Sequence, residues 1–368
     1  MKALTTIETI FYFMTIALFL LNTSTLLLQF ICEEINNNPS TGIFVPLMVL
    51  SFAPIIIGTI NYAVPKGYVS PTFIYGLFWT YVSLSVIVCF PMLMIWYNKP
   101  HDLNMFTPAW AFLLFPMMLV GVVAFNVLHV IPASDSRALG ILLAAYIFQG
   151  LGFFMTFFYI CIYIIRIMTT GFMNGGQANG AFVACGPPGF TALALLNLGE
   201  QAQAIIIPAL MLFGLAVFFF LFGILPYCFK LHAHLNEILG CWSLTFPNVG
   251  WIVTSRKLGD VFQTNFFDVW NTVMTIAMCI TWIVLFALTF VAFWEGKIFI
   301  SPKEDTARDV RHWRVRRHAE DVELGYHTHD TEQTTESNLR LGAAGSETSA
   351  MNSGMSTPIP KEVVTAGR

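Results

Sequence analysis

The sequence GPPGFTALAL at residues 186–195 lies inside an apolar run at residues 178–199. Glycine costs backbone entropy in a helix and proline removes a hydrogen bond, so we expect Gly186–Gly189 not to form a regular helix. Lipid cannot satisfy the freed backbone groups. The run therefore predicts a broken membrane helix with exposed backbone dipoles, an element that binds ions in transporters. The alternative is a tight helix crossing that small residues permit.

Composition places the surrounding chain in a bilayer. Of its 368 residues, 56% are hydrophobic and only 11% are charged, whereas soluble domains carry about 25% charged residues. A spanning helix needs about 20 mostly apolar residues. The sequence therefore predicts an all-α polytopic membrane protein whose transmembrane domain covers residues 1–300. Its nine expected helices lie at about 7–31, 43–64, 73–97, 107–131, 138–168, 178–199, 204–229, 235–253 and 267–293.

Prolines distinguish two kinds of helix among the nine. The even-numbered stretches carry prolines in their interior, at Pro46, Pro54, Pro116, Pro187, Pro188 and Pro247. The first, fifth and ninth carry none. Because an interior proline frees a carbonyl that lipid cannot satisfy, this alternation predicts an inner ring of kinked helices within an outer ring of straight ones. Alternatively, prolines are simply commoner in membrane helices than in soluble ones.

The C-terminal region differs sharply from the rest. Residues 302–368 hold 9 Lys/Arg and 11 Asp/Glu of the 18 and 21 in the whole chain. Residues 301–368 are also rich in Ser and Thr, which predicts a disordered tail. Its arginines from Arg308 to Arg317 favour a cytoplasmic C-terminus at the plasma membrane, close to anionic headgroups.

Several kinds of chemistry find no support in the sequence. The seven cysteines are scattered singly, without a CxxC motif or a Cys/His cluster, so no metal site or disulfide framework is expected. No stretch carries a nucleophile with its base, so neither an enzyme nor a cofactor is predicted. Basic runs interleaved with aromatic residues are also missing, which argues against nucleic acid as a partner.

A polar path is expected at residues 242–248, Trp-Ser-Leu-Thr-Phe-Pro-Asn. With few buried cations in the membrane region, and with Arg166 expected at a helix end, a carboxylate has to be held by backbone N–H groups and helix dipoles. Such weak binding suits a conduit. The alternative role for these polar residues is hydrogen bonding between packed helices. The expected substrate path comprises Gly186, Pro187, Pro188, Thr191, Ser243, Thr245 and Asn248.

Five short motifs carry a family resemblance. They are TPAW at 107–110 with FP at 115–116, FQGLGF at 148–153, YIIR at 163–166, GPPGFTALAL at 186–195 and FPN at 246–248. With these motifs the chain resembles the tellurite-resistance/dicarboxylate transporter family, in particular its fungal branch of malic acid transport proteins. Sulfite efflux pumps and plant slow anion channels resemble it in architecture.

The resemblance implies ten helices in five hairpins, with kinked inner helices around a central pore and Phe246, beside Pro247, as the pore plug. It implies transport of malate or related C4-dicarboxylates, together with protons, by a trimer. Sulfite efflux or passive anion flow through the same pore is the alternative. Residues 7–31 resemble the family's second helix and nothing resembles the first. A further reading is therefore a shortened, non-transporting relative that regulates a partner through its tail.

Overall fold

The computed structural model describes residues 2–31, 44–98, 100–173, 178, 180–199, 203–230 and 240–294. The predicted domain boundary at residue 300 and the predicted disordered tail lie outside these residues. In chain order the α-helices are α1 (Lys2–Ile31), α2 (Pro46–Tyr62), α3 (Pro71–Tyr97), α4 (Phe115–Met118), α5 (Val120–Leu128), α6 (Ser136–Thr170), α7 (Gly186–Leu198), α8 (Ile206–Lys230), α9 (Phe246–Phe262) and α10 (Asn265–Trp294). The 3₁₀ helices Pro108–Leu113, Gly180–Cys185 and Gly240–Leu244 directly precede α4, α7 and α9.

Long and short helices alternate along the chain. The long helices α1, α3, α6, α8 and α10 have 25 to 35 residues and expose apolar side chains along their length. In the described residues, six segments are long and apolar enough to cross a membrane, these five and Gly180–Leu198. The short helices are largely buried, and every residue of α7 from Gly186 to Ala194 is buried. The prediction of an all-α polytopic membrane protein is therefore confirmed.

The prolines lie where helices begin rather than where they bend. Pro46, Pro116, Pro187 and Pro247 each occupy the first or second position of an α-helix. Of the other two prolines predicted to be interior, Pro188 is the third residue of α7 and Pro54 lies in the middle of α2. The first N–H groups of an α-helix have no partner within it, and the fixed φ of proline suits this turn. The expectation that Gly186–Gly189 cannot be regular helix is therefore wrong. The irregular backbone is the 3₁₀ helix that precedes it.

The eighth predicted stretch ends too early. It was expected to stop at residue 253, whereas α9 continues to Phe262 and ends at Gln263, whose φ of 53° is left-handed. Arg256, Lys257 and Asp260 lie in these additional turns. A hydropathy criterion stops at such charges although the backbone hydrogen bonds continue. The start of this stretch, residues 235–239, lies outside the described residues.

Helices α7 and α9 cross in backbone contact at two glycines. A Cβ on Gly250 would lie 2.6 Å from the Phe190 nitrogen, and a Cβ on Gly189 would lie 2.7 Å from the Trp251 nitrogen. The Thr254 hydroxyl donates a hydrogen bond to the Gly189 carbonyl at 3.2 Å across the same crossing. Small residues allow this approach in a bilayer, where hydrophobic burial does not drive helix association. The tight crossing that we considered for GPPG is therefore present.

Gly250→Ala is expected to destabilise the protein, because the new methyl group meets backbone atoms that cannot move aside. Overpacking of this kind costs about 1–3 kcal/mol. Gly214→Ala is the matched control, since Gly214 is exposed on α8 and its Cβ would meet nothing within 4 Å. The control should gain up to about 1 kcal/mol from helix propensity. Thermal unfolding in detergent measures both, and equal melting temperatures would contradict the close crossing.

Candidate functional site

A cavity of about 840 Å³ lies where the short helices begin. Its wall comes from α2, from α9 and from the three 3₁₀ helices. The side chains on it are mostly apolar, and among the described residues that line it none is Asp, Glu, Lys, Arg or His. The lining residues are Phe44, Leu47, Leu50, Ser51, Pro54, Thr107, Ala109, Phe112, Gly180, Val183, Gly240, Trp242, Ser243, Thr245, Phe246 and Pro247.

Two of the hydroxyl groups on this wall donate to their own helices. The Thr245 hydroxyl donates to the Trp242 carbonyl at 2.7 Å, and the Ser51 hydroxyl donates to the Leu47 carbonyl at 2.7 Å. Such back-bonding is common for Ser and Thr in helices. In this arrangement the oxygen lone pairs, rather than the hydrogens, remain available to the cavity. A hydroxyl of this kind donates to an anion only after it rotates.

The helices that begin at the cavity have no side-chain caps. Neither α2 at Val45 nor α9 at Thr245 has a capping hydrogen bond, and neither has an acidic residue in its first turn. By contrast, outer helix α3 is capped by Ser70. Asp135 caps α6, and hydrogen bonds from Arg137 lower the pKa of Asp135 to about 2. The positive ends of the α2 and α9 dipoles therefore meet the cavity without a carboxylate in their first turns, a condition that favours anions.

Packed aromatic rings close the cavity on the side of α4 and α7, which we call its closed end. The Phe246 ring lies 5.1 Å from the Phe190 ring of α7 and 6.5 Å from the Phe115 ring of α4, measured between centroids. The Phe115 ring also contacts Phe112 edge-on at 5.2 Å. Phe115 and Phe190 are buried, whereas Phe246 keeps part of its surface in the cavity. Phe246 thus separates the open cavity from the packed interior.

The residues predicted for the substrate path fall into two groups. Ser243, Thr245, Phe246 and Pro247 line the cavity. The others are buried outside its lining, namely Gly186, Pro187, Pro188, Thr191 and Asn248. They do not line it because the start of α7 packs against α4 and α9, so that a Cβ on Gly186 would lie 3.0 Å from the Phe115 ring and 3.5 Å from Pro247.

The buried polar members of that set bond to the protein itself. The Thr191 hydroxyl accepts a hydrogen bond from the Gln149 amide at 2.9 Å. The Asn248 amide donates to the Leu244 carbonyl at 2.8 Å and accepts from the Trp251 indole at 2.9 Å. The Thr191 bond joins α6 and α7, whereas both Asn248 bonds stay within residues 244–251 and are therefore not the bonds between packed helices that we considered for residues 242–248.

Sequence reasoning missed most of the wall. It named no residue of α2 and none of the first two 3₁₀ helices for the path. A repeated signal was available, since α2, α4, α7 and α9 each carry a proline at their first or second position. Aligning the starts would have indicated that these segments meet at the same depth. Arg166 lies near the C-terminal end of α6, as expected, but sequence reasoning gave no indication that its side chain is buried there.

Comparison with known proteins gives consistent matches. The protein family described as "Voltage-dependent anion channel" matches residues 2–290. The malic acid transport protein of Schizosaccharomyces pombe is 27% identical over 331 residues, covering 83% of this chain and 75% of that protein. A putative malic acid transport protein of the same organism is 25% identical, covering 73% and 67%. A sulfite efflux pump of Arthroderma benhamiae is 24% identical, covering 68% and 72%. No solved structure matches the chain.

The family match spans the described helices from α1 to most of α10, and it agrees with the apolar helices and with the uncharged cavity at the starts of the short ones. The matched relatives transport malic acid or sulfite by name, and both are anions in water at neutral pH. This chain is an integral membrane protein that belongs to the voltage-dependent anion channel family.

Proposed function

We propose that this protein transports malate or a related C4-dicarboxylate through a conduit that begins at the central cavity. The observation that carries the proposal is the cavity itself, whose volume of about 840 Å³ is bounded by uncapped helix starts rather than by charged side chains. The two malic acid transport relatives support the substrate class. Weak attraction by dipoles lets an anion enter and also leave, as conduction requires.

Proton involvement is the second part of the proposal. A doubly charged dicarboxylate loses most of its hydration in an uncharged cavity, and unpaired charges are costly to desolvate. A singly protonated acid loses less. The transported species is therefore the monoanion, which carries its own proton, and no titratable side chain on the described wall has to relay one.

Orientation follows from the charged tail. Trp242 on the cavity wall donates a hydrogen bond to Thr289 of α10 at 3.0 Å, so this part of α10 lies at the level of the cavity. The arginine-rich start of the tail favours the cytoplasmic side of the plasma membrane. The proposed cavity therefore opens towards the cytoplasm.

Sulfite efflux or passive anion flow is the second candidate. It is favoured by the sulfite efflux relatives and by the closure at Phe246, a single apolar ring that could gate small anions without any substrate-specific contact. A small inorganic anion does not need a cavity of this size. The two candidates therefore differ in the size of anion that the path carries best.

Uptake of labelled malate by transporter-null cells that express the full chain tests both candidates. We expect uptake that other C4-dicarboxylates inhibit, that sulfite does not inhibit, and that rises as the external pH falls because the monoanion becomes more abundant. Cells without the chain give the background. Sulfite flux without malate uptake would favour the second candidate, and malate uptake that falls at acidic pH would contradict the monoanion.

Phe246→Ala is expected to increase anion leak roughly tenfold, which corresponds to about 1.4 kcal/mol of barrier. The physical reason is that removal of the ring opens and wets the closed end of the cavity. Phe246→Leu keeps apolar bulk and should leak less. Phe73→Ala is the control, since Phe73 is exposed on α3 away from the cavity. Conductance measured at equal surface expression decides, and wild-type leak in Phe246→Ala would exclude Phe246 as the barrier.

A further inference from the structure

Near its C-terminal end, α6 carries three buried side chains with polar groups on one face. Tyr159, Tyr163 and Arg166 follow at spacings of four and three residues, so they lie on the same side of the helix. Arg166 is only 7% exposed. An ionisable residue inside a membrane helix is expensive, and it is usually retained for a function. The conduit proposed above uses none of these three residues.

Arg166 reaches the segment that forms the wall. Its Nη1 donates a hydrogen bond to the Phe106 carbonyl at 2.6 Å, a short distance typical of a charge-assisted bond. Phe106 is 2% exposed, and its ring packs 4.6 Å from Trp110 and 6.1 Å from Tyr159. The next residue, Thr107, lines the cavity. Arg166 therefore holds the backbone immediately beside a wall residue.

The geometry of the wall at this point depends on that bond. Thr107 is extended, with φ −131° and ψ 155°, and it starts the 3₁₀ helix Pro108–Leu113 without a side-chain cap. A buried carbonyl in a bilayer needs a donor from the protein. Guanidinium supplies one from a rigid plane and remains charged at any physiological pH, whereas lysine supplies a single flexible donor group. Arginine thus fixes both the presence and the direction of the bond.

We propose that Arg166 is a positioning residue that fixes the position of Thr107 in the cavity wall. Through Thr107, Arg166 determines the size of the anion that the cavity admits. The consequence for anion size rests on the proposed function. The position of Thr107 does not, so the two parts can be measured separately.

The position of Thr107 is measured by thiol labelling. Thr107→Cys is introduced into the full chain in membranes. Because the chain has seven cysteines of its own, mass spectrometry is used to measure the labelling rate at residue 107 alone. Arg166→Met should change the rate roughly tenfold, the effect expected for a lost bond to a charged group. Arg166→Lys should change it less. Arg137→Met is the control on the same helix, because Arg137 pairs with Asp135 at 2.6 Å, and it should change nothing.

Anion size is measured as the ratio of malate flux to chloride flux in the same variants without Thr107→Cys. Arg166→Met should alter the ratio, Arg166→Lys should partly restore it, and Arg137→Met should leave it unchanged. An unchanged labelling rate in folded Arg166→Met overturns the proposal. Equal aggregation of both Arg166 variants on size-exclusion overturns it too, because the residue then only maintains the fold. An altered labelling rate with an unchanged flux ratio overturns the part on anion size.

If the wild-type chain carries chloride but no malate, the proposed substrate is wrong, and the ratio of nitrate to chloride replaces the malate ratio. If it carries no anion at all, the proposed function is wrong, while the labelling rates still decide whether Arg166 positions Thr107. Failure of the function and failure of the positioning are in this way distinguishable.

Discussion

Backbone polar groups inside a bilayer have to find partners within the protein, and this requirement governs how the short helices begin. The starts of α2, α4, α7 and α9 each combine a turn or 3₁₀ helix, in which carbonyls bond three residues ahead, with a proline that has no N–H to satisfy. The Thr245 nitrogen, for example, bonds to the Trp242 carbonyl, and the Asn248 nitrogen bonds to the Thr245 carbonyl. These starts are thereby closed without acidic caps, and a cavity can form among them whose described lining carries no negative charge.

The two-glycine crossing has a consequence for the closed end of the cavity. Because Gly189 and Gly250 bring the backbones of α7 and α9 into contact, Phe190 and Phe246 are carried on helices whose separation is fixed. The 5.1 Å distance between their rings is therefore a property of the crossing. Opening this end by moving the helices apart would break backbone packing, whereas rotation of the Phe246 side chain would not. Rotation is the smaller change for a ring that already has part of its surface in the cavity.

Sequence reasoning could predict the class of protein because membrane spans depend on local hydropathy, and it could predict the alternation of helices because prolines mark it. It failed where the conformation or hydrogen bonding of a residue depended on the segments packed around it. Whether Pro187 breaks a helix or begins one depends on the 3₁₀ helix before it, and glycine content alone gives no indication of that helix. Similarly, Thr191 and Asn248 have the chemistry of a path residue, but their partners Gln149 and Trp251 are set by packing. Ser243 and Thr245 line the cavity because they directly precede the start of α9.

An anion conduit has to attract its substrate without retaining it. A cation on the wall would pair with a carboxylate at low dielectric, and such a pair is hard to separate because each partner would be left buried and uncompensated. In the described part of the chain, Arg166 bonds to the carbonyl of Phe106, the residue before Thr107 of the wall, and is not itself one of the lining residues. The described residues that line the cavity supply dipoles and lone pairs rather than full charges. This separation places the full charge in the scaffold and leaves the surface of the cavity weakly attractive, which is the condition for a site that must release what it binds.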